Sequence, residues 1–80
     1  MNEIVKQGLK VRLADNAQIK SALERSLVRT NESIAKGLDV DMAPSKIIAL
    51  IEYHAGIQTG LLIAIDSLEA VDRMNTEVNA

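Results

Sequence analysis

His54 is the one histidine in a chain without cysteine, so it is the one imidazole that could serve as a general base, and a metal site would have to be built on it or on carboxylates. Nucleophilic catalysis needs a hydroxyl or thiol activated by a base that a third group orients. His54 falls instead on a heptad seam, Ile47, Leu50, His54, Ile57, Leu61, Ala64, Leu68 and Val71. That position suits a partly buried histidine at a helix contact, its ring nitrogens satisfied locally, and no enzyme is expected. Asp66, Glu69 and Asp72 lie near each other on one helix, but their spacing matches no calcium loop. They read as a solvated acidic edge, with no metal or other cofactor.

Gly56 and Gly60 sit inside a helical pattern and not in a loop that opens a helix, so they make no phosphate cradle. Each costs about 1 kcal/mol against alanine in a helix interior, which close packing would offset. With Ala64 they form a small-residue row, along which either the chain's own first or middle helix or an external helix can approach.

The elements that must position these residues are helical. Asp15 and Gln18 have the spacing of a capping box, which predicts a helix over 16–36 with Ile19, Leu23, Leu27 and Ile34 on one face. Gly37 is available for a left-handed cap. A loop over 37–42 is short enough to make its flanking helices antiparallel, and Pro44 suits the first turn of a helix over 43–74, entered at Asp41 or Ala43. A polar tail, 75–80, follows. At 1.5 Å per residue the last helix spans about 48 Å and the segment 16–36 about 31 Å. Residues 2–13 can cover the difference, with Ile4, Val5, Leu9 and Leu13 inward, as a separate short helix or as an extension of the middle one. Leu9, Val11 and Leu13 alternate with Lys10 and Arg12 as a strand would, but nothing else could pair with a strand. The expected fold is all-α, one small domain: an antiparallel helical hairpin with a short N-terminal helix or helical extension.

Eighty residues with one tyrosine and no Phe or Trp give a thin aliphatic core, with about 3–5 kcal/mol of net stability at this size. The last helix nevertheless carries a second apolar stripe, Ile48, Ile51, Ala55, Leu62 and Ile65, beside the heptad seam, while Glu52, Thr59, Asp66 and Arg73 form a polar ridge. That surplus predicts a partner surface at Ile48, Ile51, Ala55, Leu62 and Ile65, with Tyr53 as its aromatic anchor or as a cap on the hairpin's own core.

Charge separates along the chain. Residues 1–36 hold seven Lys or Arg against four acids, and residues 37–80 hold two against seven. The cations are dispersed and lack aromatic stacking residues, so no nucleic-acid partner is expected. The uncharged run from Tyr53 to Ile65 is shorter than the about 20 residues of a bilayer span, so no membrane insertion is expected. Glu3, Lys6, Lys10 and Arg12 interrupt the N-terminal apolar residues, unlike a signal peptide, and the lack of cysteine suits a reducing cytoplasm.

The layout from Ile19 to Leu68 resembles the small co-chaperones of type III secretion needle subunits, the YscE, PscE and SsaE type. A helix over Ser21 to Gly37 (SALERSLVRTNESIAKG) ends in a small-basic-Gly turn. A short loop with an acid and a proline follows, then a long helix with small residues before an aliphatic run (HAGIQTGLLIAIDSL, His54 to Leu68). The resemblance implies a cytoplasmic virulence-apparatus scaffold that binds a tetratricopeptide-type, helical-repeat chaperone, the pair holding the needle subunit unpolymerised. The alternatives are a self-associating helical bundle, formed when no such partner is present, and a small helical inhibitor or ligand-binding protein.

Overall fold

Among the described residues the protein consists of two helices joined by one turn. The computed structural model describes residues 2–79, with side chains through Thr76. Helix α1 runs Asn2–Ala35 and helix α2 runs Pro44–Asn79, packed antiparallel along their lengths. The chain is an all-α helical hairpin, 66 × 16 × 13 Å.

Asn2–Ala35, 34 residues, form one unbroken helix, which is the extension and not the separate short helix. Asp15 and Gln18 are exposed in the middle of it and cap nothing. Continuity follows from the inward positions Asn2, Lys6, Leu9, Leu13, Asn16, Lys20, Leu23, Leu27 and Thr30, which step by four and three without interruption. A capping box starts a helix only where something upstream has stopped one, and residues 2–14 hold no proline. Leu9, Leu13, Leu23 and Leu27 face α2 as expected. Ile4, Val5, Ile19 and Ile34 do not and are largely exposed. Val11 is exposed too, so the strand-like alternation is a helix with one apolar residue on its outer side.

Helix α1 ends at a paired carbonyl cap. Gly37 adopts a left-handed φ of 76°, its amide donates to the Ile34 carbonyl at 2.9 Å, and the Leu38 amide donates to the Ser33 carbonyl at 2.9 Å. These two bonds satisfy carbonyls that a helix end otherwise leaves open. A Cβ at Gly37 meets nothing within 4 Å, so only the backbone conformation resists substitution. Gly37→Ala will therefore cost about 1–2 kcal/mol, the left-handed penalty of an L-residue, readable as a lower melting temperature with unchanged helicity.

Helix α2 is entered at Ala43, whose carbonyl accepts from the Lys46 and Ile47 amides, with Pro44 in the first helical position. It does not dissolve at residue 74. No glycine or proline follows Met74, and the Thr76 hydroxyl bonds the Asp72 carbonyl at 3.0 Å, so the expected polar tail is helical through Asn79; Ala80 lies outside the described residues.

At the open end Lys6 Nζ lies 2.8 Å from Glu3 Oε1 and 3.0 Å from Asp72 Oδ2, while Asn2 Nδ2 donates to Asp72 Oδ1 at 3.0 Å. Bonds to Glu3 and Asp72 raise the Lys6 ammonium above its ordinary value. Bonds from Asn2 and Lys6 hold the Asp72 carboxyl below its own. The carboxylate's contribution is present above its unfolded value of 3.8 and is lost as pH falls through the depressed one. The ammonium's is present below 10.5 and lost as pH rises through the raised one. The clamp therefore works between those limits. Amide protection of residues 2–9 will fall as solution is acidified below about pH 4, and Asp72→Asn will remove that dependence.

Candidate partner-docking face

Which side of α2 faces α1 is decided by polar residues in the seam of α1. Asn16 is 6% exposed, and a buried amide must be hydrogen-bonded. Its Nδ2 donates to the His54 carbonyl at 2.8 Å, and its Oδ1 lies 2.7 Å from His54 Nδ1. An amide oxygen only accepts, so Nδ1 carries the proton and donates. His54 is thereby held on the seam, its ring edge-on to Tyr53 with centroids 5.2 Å apart. Lys6 in the same seam takes Asp72. With His54 and Asp72 both turned inward, α2 meets α1 through Pro44, Ile47, Ile51, His54, Gln58, Leu61, Ile65, Leu68 and Asp72, all buried or half-buried.

That register corrects the expected partner surface. Ile65 is 6% exposed and belongs to the hairpin's own core. Ile51 and Ala55 are half-buried along the same contact. Ile48, Leu62 and Tyr53 are exposed, at 44%, 43% and 64%, with Tyr53 outside the seam. Conversely, Leu50 and Val71 of the expected seam are exposed. An all-apolar reading of the heptad passes over Gln58 and Asp72, and the missed signal was the pairing of Lys6 and Asn16 with acceptors and donors on the other helix.

The surplus apolar surface exists, but farther around α2. Three columns at seven-residue spacing lie side by side: Ala49, Gly56, Ile63 and Ala70; Tyr53, Gly60, Ser67 and Met74; Leu50, Ile57, Ala64 and Val71. None bears a charge over about 38 Å of helix. The ridge of Glu52, Thr59, Asp66 and Arg73 bounds them on one side. The Ser67 hydroxyl donates to the Ile63 carbonyl at 2.8 Å, so it brings no unsatisfied donor to the face. Near the turn, Met42, Lys46, Ala49, Leu50 and Tyr53 frame a shallow, almost wholly apolar groove.

Gly56 and Gly60 lie in this face, and a Cβ at either would meet nothing within 4 Å. Packing against the chain's own first helix therefore does not account for them. Replacing both with alanine will raise the melting temperature of the isolated hairpin, because the helix gains about 1 kcal/mol per site and no atom is displaced.

Among the described residues no three His, Cys, Asp or Glu side chains stand together as metal ligands would. Within Pro44–Thr76, α2 is long and apolar enough to cross a membrane by length and composition, although its uncharged run from Tyr53 to Ile65 alone is too short to do so. No protein-family model, curated protein or solved structure matches the chain.

Proposed function

We propose that this protein is a non-catalytic docking module, a helical hairpin that presents the uncharged face of α2 to another helix. One observation carries the reading: the face is apolar or small over its whole length, and two glycines at its middle leave open space where side chains would stand. Isolated, each glycine destabilises the helix; against a closely approaching helix, each permits backbone contact and dispersion that a side chain would block. A hairpin of thin core gains stability from any such partner by mass action.

The co-chaperone is the specific form of this proposal, supported by the layout of the two helices and their turn. There the occupant is a helical-repeat chaperone, and the complex withholds a polymerising needle subunit in the cytoplasm. Co-expression with the helical-repeat and needle-type products of its own genome tests it: a stable ternary complex is expected, and separate elution of all three rejects it. The docking reading itself is tested by placing a benzoylphenylalanine photo-crosslinker at Tyr53, with Val11 on the outer side of α1 as control. A discrete adduct from Tyr53 and none from Val11 is expected; equal labelling, or none, rejects the face.

A further inference from the structure

We propose that, where no helical-repeat partner is present, the occupant of this face is a second copy of the chain, two hairpins closing into an antiparallel four-helix bundle in which α2 of each copy lies beside α1 of the other. The inference rests on the docking reading and names its partner. Geometry supplies the first reason. The contact with α1 is centred between the Ile47 and Ile51 columns, whereas the most continuous apolar seam of α2 joins the Ile47 column to that of Leu50. The two directions differ by about 50° around the helix. For a hairpin alone this offset strands apolar surface. In a square bundle each helix touches two neighbours at right angles, so the bundle axis lies about 45° from either contact, and the offset turns the apolar seam onto that axis.

The matching edge of α1 is suited to the same face. It carries Val5, Ile19, Ser26 and Ser33 with Arg12 as its single charge, while the other edge carries Glu3, Lys10 and Glu24. Met42 borders a groove lined by Ser26 and Ser33 and also the groove lined by Leu50 and Tyr53, which sets the two favourable edges on one side of the hairpin.

Area and charge agree. The chain exposes 5969 Å², against about 4,700 Å² for a compact monomer of its mass. The excess exceeds the about 800 Å² per partner that a standard interface removes. A two-fold axis along the bundle alternates the basic N-terminal helices with the acidic C-terminal ones around the ring, so every neighbour is of opposite sign. Packing α2 against α2 would instead face like with like.

Sedimentation equilibrium of the full chain will give the dimer mass at high concentration. Leu50→Glu with Val71→Glu will give a monomer of unchanged helicity, and Ile48→Glu with Leu62→Glu, on the opposite edge, will leave the dimer. A wild-type monomer throughout, or a dimer split by the second pair and not the first, overturns the proposal. Cysteine pairing keeps the test sharp should a charged variant unfold. Mixed Leu50→Cys and Ile19→Cys chains will form the hetero-disulfide, whereas a predominant Leu50→Cys homodimer overturns the arrangement. A monomer that floats with phosphatidylglycerol vesicles makes lipid the occupant and also overturns it. A monomer whose Tyr53 photo-adduct is another protein overturns the second copy alone and leaves the docking reading standing; one that neither floats nor labels removes both.

Discussion

Ile47→Ala will lower the unfolding free energy by about 2–5 kcal/mol, a large share of the about 3–5 kcal/mol available to a chain of this size. Ile47 is 2% exposed, at the head of α2 beside the turn, and with Ile65 it is one of two buried apolar side chains among the described residues. Truncation removes transfer energy and leaves a cavity that two helices alone relax poorly to fill. Its sequence neighbour is the control, because Ile48 lies on the exposed flank. Urea titration followed by far-ultraviolet dichroism will show a large shift for Ile47→Ala and a small one for Ile48→Ala. Comparable shifts would mean that the hairpin register is wrong.

His54→Ala will be the second largest loss, about 1–3 kcal/mol, since it leaves the buried Asn16 Oδ1 without its donor. Removing both partners is a different perturbation. Asn16→Leu with His54→Leu deletes the polar pair and substitutes apolar contact, so stability returns to within about 1 kcal/mol of wild type or exceeds it. Specificity is then what suffers. A one-heptad slip of the helices would set Asn16 against apolar neighbours in the natural chain and cost a buried amide its bonds; in the leucine pair the slip is cheap. A double-mutant cycle by chemical denaturation measures the coupling, and broadened amide resonances would report the loosened register.

These residues also show what the sequence could and could not disclose. The hairpin followed from the Gly37 turn, Pro44 and heptad spacing, all of which act locally. The continuity of α1 did not, because Asp15 and Gln18 carry a start signal whose effect depends on whether the helix before them has ended. The rotation of α2 was missed for a related reason: periodicity ranks columns by how apolar they are, whereas the fold ranks them by whether Asn16 and Lys6 find partners. Apolar ranking alone therefore points Ile65 outward, where the fold makes it core, and Leu50 inward, where the fold makes it surface. The existence of a surplus face was legible from apolar content alone, its azimuth only from the pairing of polar groups across helices.

A body of 66 × 16 × 13 Å meets far more hydrodynamic drag than a sphere of equal mass. A single hairpin will elute from a sizing column early, as though it were two, and will tumble anisotropically enough to broaden the resonances of amides aligned with its long axis. Light scattering or equilibrium ultracentrifugation, which weigh the particle without assuming its shape, are therefore the measurements that count copies of this protein correctly.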